Sequence, residues 1–197
     1  MIKKIARKSF LEKYPNFPTV SPYRNRYFFP ETYDSYILYA DAKSAVSLCR
    51  SLTKELSKLI QVLNFDHLSC LGDANIPWLF RDHDYKPVKE GLDYLVQKKV
   101  SKSFSGALKV DVVDLPDFLR HIFWLVRCNG VVFIPHFSDS EFNVLISICQ
   151  YGNIHFSTLN KEADIVFNEA ILQTELYIPD DNKCRGFKIA HRKSTNR

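Results

Sequence analysis

The stretch from 106 to 159 constrains this chain most, because its turn and cap residues leave few ways for it to fold. Its apolar runs and breakers predict strand, helix, strand, helix and strand over 106–113, 116–128, 131–137, 139–151 and 153–159. Asp114 before Pro116 fits a cap followed by a proline in the first helical turn. Asn129 and Gly130 tolerate a left-handed backbone and predict the end of that helix. Ser138, Asp139, Ser140 and Glu141 have the spacing of a capping box, which predicts the second helix, closed by Gly152. Two strand–helix–strand steps in succession allow a right-handed parallel unit. Pro135 argues against a fully paired central strand there. The expected fold class is therefore α/β: a single domain with a mixed β-sheet and packed helices.

The rest of the chain fills in around that unit. Four prolines, Pro15, Pro18, Pro22 and Pro30, forbid regular helix over 14–35, which reads as an extended arm with a short strand near 26–29. A strand over 35–40 follows, and Asp41 is placed to cap a long helix. Ala45, Leu48, Cys49, Leu52, Leu56, Leu59, Ile60 and Leu63 recur there in steps of three and four, the signature of one buried face. A strand over 67–71 and a helix from Pro87 precede the central unit. A helix over 161–172, a strand over 175–178 and an edge strand over 187–190 follow it.

Charge divides the chain in three. Residues 1–13 carry five Lys/Arg against one acid, and residues 183–197 carry six against none. The body, 14–182, has 16 basic and 21 acidic residues, so the net charge of +5 comes from the ends. The expected organisation is a basic N-terminal arm (1–13), one α/β domain (14–182) and a basic C-terminal tail (183–197). An acidic body is the reverse of a nucleic-acid-binding core, so nucleic acid is expected to engage the tails alone, if at all. A run of about 18 apolar residues is absent, which predicts no membrane span. The charged start lacks a following apolar region, which predicts no cleaved signal. Five single cysteines without a C-x-x-C pair fit reduced thiols in the cytoplasm.

Residue spacing excludes several chemistries. The six glycines are too far apart for either common phosphate-binding loop. The nucleophile-elbow and helical zinc-protease motifs are missing as well. His67, Cys70 and His83 do not match a finger pattern, so no metal and no cofactor are expected. Cys128 and Cys149 are placed at helix C-termini, where a thiolate is disfavoured, and read as core. His121 and His155 read as structural. No catalytic residue is assigned.

Three stretches resemble bacterial toxin-immunity proteins of the contact-dependent growth inhibition type: 71–80, 123–128 and 148–156. The resemblance implies a small cytoplasmic α/β protein that binds and blocks a cognate toxin domain, often a nuclease, without being an enzyme. The irregular loop then supplies the candidate toxin-binding residues Asp73, Trp78, Arg81, His83, Asp84 and Tyr85, chosen by residue type and expected exposure. Two alternatives stand beside it: a nucleic-acid-binding module that uses the basic tails, and an enzyme of unrecognised type with carboxylate acid–base residues. Oligomeric state and strand order are not legible at this level.

Overall fold

Residues two apart point to the same face of a strand, and in this chain that parity builds a sheet whose two faces differ. The computed structural model describes residues 1–21 and 26–186. Among them the order begins β1 (Ile2–Ile5), α1 (Arg7–Lys13), β2 (Thr19–Ser21), β3 (Arg26–Phe28) and β4 (Asp34–Leu38). It continues with α2 (Ala45–Val62), β5 (His67–Gly72), α3 (Lys86–Gln97), β6 (Ala107–Asp111) and, after a short 3-10 turn, α4 (Leu115–Arg127). It ends with β7 (Pro135–Ser138), β8 (Val144–Ile148), β9 (Ile154–Thr158) and α5 (Lys161–Ile171). Seven strands form one sheet in the order β1-β6-β5-β7-β8-β9-β4, and β2 and β3 make a separate ribbon. The result is a single α/β domain with helices packed on a sheet. Every pair of neighbours in the main sheet is antiparallel. β6 and β7 run in the same direction across α4, but β5 lies between them. No described helix is long and apolar enough to cross a membrane.

One face of the sheet carries Leu68, Cys70, Leu108, Val110, Phe137, Val144, Ile146, Ile148, Ile154 and Phe156. Helices α2 to α5 cover it. The spacing of Leu48, Leu52, Leu56 and Leu59 puts four leucines of α2 on this core, each at most 3% exposed. Burying a side chain of this size stabilises the fold by about 1.5–3 kcal/mol. The opposite face is only partly covered. There α1 and the chain after it lay Phe10, Tyr14 and Phe17 over Leu71, Ala107 and Leu145. The remainder of that face, over β7, β8, β9 and β4, lies under no helix.

Four expectations are corrected. Residues 139–151 are not a helix but the turn and strand of the β7–β8 hairpin. Val144–Ile148 is a short apolar run whose core is buried on both sides of the sheet, a pattern that periodicity alone does not separate from helix. Asp139, not Ser138, organises the turn. Its carboxyl accepts the backbone N–H groups of Asn143 at 2.7 Å, Val144 at 3.1 Å and Glu141 at 3.2 Å. Residues 1–13 are no arm: β1 pairs with β6, and Phe10 of α1 is 1% exposed. The guanidinium of Arg7 donates to the carbonyl oxygens of Gly72, Asp73 and Ala74. The cap of α2 is Ser44, which trades hydrogen bonds with Ser47, and not Asp41. The strand expected over 175–178 is reduced to a single bridge between Tyr39 and Tyr177. The edge strand expected over 187–190 lies outside the described residues.

Replacing Asp139 by Ala leaves three backbone donors of a buried turn without that acceptor. The expected loss is about 3 kcal/mol, a fall in Tm of roughly 6–12 °C for a chain of this size. Glu141→Ala, on the exposed side of the same turn, is expected to leave Tm unchanged. Thermal unfolding followed by circular dichroism measures both.

Candidate functional site

The uncovered part of the second face is a cleft of about 1140 Å³. Its floor is a row set by strand register: His136 of β7 opposite Ser147 of β8, Ser147 opposite His155 of β9, and His155 opposite Ile37 of β4. A second pair, Ser157 and Ser35, joins their hydroxyls at 2.9 Å. The walls come from Phe29 on one side, Arg81 and the 131–134 segment on another, and Cys149, Tyr151 and Cys184 at the far end. Phe29, Ile134 and Tyr151 are large, exposed and at this rim.

Apart from Asp73 and Arg81, several polar groups of the cleft are held neutral by burial. His136 is 4% exposed, and its Nε2 meets the Tyr27 hydroxyl at 2.8 Å. Burial, with a smaller contribution from nearby His155, lowers the His136 pKa to about 4. Burial and then the charge of Asp73 push the Tyr27 phenol up to about 12. Burial lowers His155 and raises the Cys149 thiol to about 11. At neutral pH the floor thus offers the neutral imidazoles of His136 and His155, the Tyr27 phenol, the protonated Cys149 thiol and serine hydroxyls. Such a set orients and hydrogen-bonds a bound group; it is not tuned for nucleophilic attack.

The six residues proposed from sequence divide three ways. Asp73 and Arg81 do line the cleft. Asp73 is buried, with its carboxyl taking the Ile134 N–H at 3.0 Å, and burial raises its pKa. Trp78 is not exposed at all: it is 1% exposed, packs edge-on against Phe133 and donates its indole N–H to the Gly106 carbonyl at 2.9 Å. A buried indole with a satisfied donor is core, so Trp78 is corrected as a contact residue. His83, Asp84 and Tyr85 lie on the neighbouring loop, where Tyr85 meets Trp124 at 6.1 Å between ring centres. None of the three lines the cleft; a smaller polar groove between α3 and α4 includes Trp124, which Tyr85 touches, but not these three residues.

His136, Ser147, Cys149, His155 and Cys184 escaped the sequence reading. The alternation of Asn153, His155 and Ser157 with Ile154 and Phe156 carried the signal: it places the polar residues opposite the helix-covered face. Reading Cys149 as a helix end hid its place beside them. Cys149 and Cys184 instead bring their sulfurs to 3.6 Å.

Between pH 6.5 and about 4 the folded state resists protonation of His136 while the unfolded chain accepts it. Stability is therefore present above this window and lost as pH falls through it. His136→Gln, whose amide can still meet the Tyr27 hydroxyl, is expected to lose roughly 2–3 kcal/mol less than the parent between pH 7 and pH 4.5. Urea unfolding at both pH values measures this; equal losses in the two proteins would contradict it.

Searches with this chain matched no protein-family model, no curated protein and no solved structure. Its function is therefore read from the residues of the cleft themselves.

Proposed function

We propose that this chain is a non-enzymatic immunity protein whose open sheet face receives a segment of a cognate toxin domain. The observation that carries the reading is the cleft: an uncovered sheet face, rimmed by exposed Phe29, Ile134 and Tyr151 and floored by neutral hydrogen-bonding groups. Aromatic and apolar anchors around a few polar groups are what a desolvated binding hot spot requires. The acidic body adds a partner preference. Glu31, Asp34, Glu162 and Glu169 are exposed near the β4 edge and α5, and they suit steering toward a basic domain such as a nuclease. The resemblance of 71–80, 123–128 and 148–156 to contact-dependent growth inhibition immunity proteins points the same way, and the reading places the chain in the cytoplasm.

The alternatives have less support. Nucleic-acid binding was expected to use two basic tails, and the first of these is strand and helix within the domain. The enzyme alternative requires a cleft carboxylate with a raised pKa, and Asp73 meets that description. Its carboxyl, however, is engaged by the backbone N–H groups of Ile134 and Ala74, a loop-holding role.

Co-expression with the toxin domain encoded upstream is expected to restore growth, with the two proteins co-eluting one to one. Phe29→Ala and Ile134→Asp are each expected to weaken that complex by about 2 kcal/mol, roughly thirtyfold. Leu172→Asp, exposed on the helical side, is expected to bind like the parent. Failure of rescue and co-elution would exclude immunity against that toxin. Unchanged affinity in both rim variants would place the interface elsewhere.

A further inference from the structure

Cys149, His155 and Cys184 form the one group among the described residues whose Cys, His or carboxylate ligand atoms converge as metal ligands do. One ligand atom from each lies within 4.8 Å of the other two. The three come from separate places: the end of β8, the middle of β9 and the chain that returns after α5. Two sulfurs bound to one tetrahedral zinc stand about 3.8 Å apart, given Zn–S bonds of about 2.3 Å. The sulfurs here are 3.6 Å apart, close to that spacing and well beyond the roughly 2 Å of a disulfide.

The surroundings are arranged for sulfur ligands. The backbone N–H groups of Tyr151 and Asn153 point at the Cys149 sulfur. The turn that directs them there needs the left-handed backbone of Gly152, at φ +84°. A side chain at that position would also meet Leu48 at 2.7 Å. The Asn153 amide donates to the Cys184 sulfur at 3.3 Å and to the Arg185 carbonyl at 2.8 Å, so it holds the third ligand in place. His155 has a buried Nε2 without a hydrogen-bond partner among the described residues. A buried ring nitrogen without a partner is costly in an apolar protein, and a metal ion is one remedy.

We propose that these three side chains bind a thiophilic divalent cation, Zn²⁺ by ligand type, at the end of the cleft. Two thiols each release a proton and bind as thiolates, while His155 binds as neutral imidazole; the charges of the two thiolates balance that of the ion. Three protein ligands leave the fourth tetrahedral position to a water on the cleft side. The ion ties the returning C-terminal segment to the β8–β9 hairpin. That segment is already held along β4 by Asn182, whose side chain accepts from the Ile37 N–H at 2.7 Å and donates to the Ser35 carbonyl at 2.8 Å. The proposal does not depend on the immunity reading, because it concerns the chain without a partner.

The test uses the full chain, stripped with a chelator and kept reduced by a phosphine, and titrated with Co²⁺ and then Zn²⁺. The expected result is one Co²⁺ per chain, with the intense visible bands of a tetrahedral site and a thiolate-to-cobalt charge-transfer band, all displaced by one Zn²⁺. Cys149→Ser and Cys184→Ser are each expected to lose about half of the charge-transfer band, since one thiolate remains, and to bind on the order of a hundredfold more weakly. His155→Gln keeps the charge transfer and binds more weakly. Cys128→Ser, outside the cluster, behaves as the parent, and far-UV circular dichroism checks that each variant is folded. Sub-stoichiometric binding, a pale octahedral spectrum, or binding retained in a folded Cys149→Ser, Cys184→Ser double variant would overturn the proposal.

Discussion

A β-sheet must bury at least one face, and the way this one divides its two faces governs everything else in the molecule. Helices α2 to α5 cover one face with leucine, isoleucine and phenylalanine from every element they meet. The other face has a single short helix and an aromatic cluster, Phe10, Tyr14 and Phe17, over one half. Antiparallel sheets commonly leave one face to solvent, and the alternating polar residues of β8 and β9 fit that arrangement. The uncovered half is the cleft.

That geometry also decides the electrostatics. Groups on the cleft floor are packed tightly enough to lose water without gaining opposite charges. His136 and His155 therefore remain neutral, and the Cys149 thiol stays protonated until something supplies positive charge. A recess with a neutral floor, framed by the exposed Phe29 and Tyr151 rings, is the basis of the docking proposal. The same recess gathers two sulfurs and an imidazole where a cation can provide the missing charge. The two proposals share one wall of the cleft but rest on different residues, rim aromatics for the one and Cys149, His155 and Cys184 for the other.

Local signals in the sequence were legible wherever packing agreed with them. The leucine spacing of α2 predicts its buried face, and Asn129 does adopt the left-handed backbone expected at a helix end, with φ 55°. They misled where one set of residues serves two structures. Ser138, Asp139, Ser140 and Glu141 have the spacing of a capping box, yet Asp139 takes the backbone donors and the Ser138 hydroxyl donates to the Val144 carbonyl, closing a hairpin. Gly152 has the positive φ that a helix end would use, but here it curls the turn between β8 and β9. Trp78 follows a proline in an irregular stretch and so reads as loop, although its indole is core. The cleft was not legible because its residues come from positions as far apart as 29 and 184. Only the strand order brings them together.

Hydrogen exchange of the chain, free and mixed with the toxin domain proposed as its partner, tests the central claim most directly. The account predicts new protection in the loops that rim the cleft, residues 29–34, 130–134 and 150–153, with the α3–α4 groove unchanged. Protection confined to that groove, around Tyr94, His121 and Trp124, with the cleft loops unaffected, would contradict it.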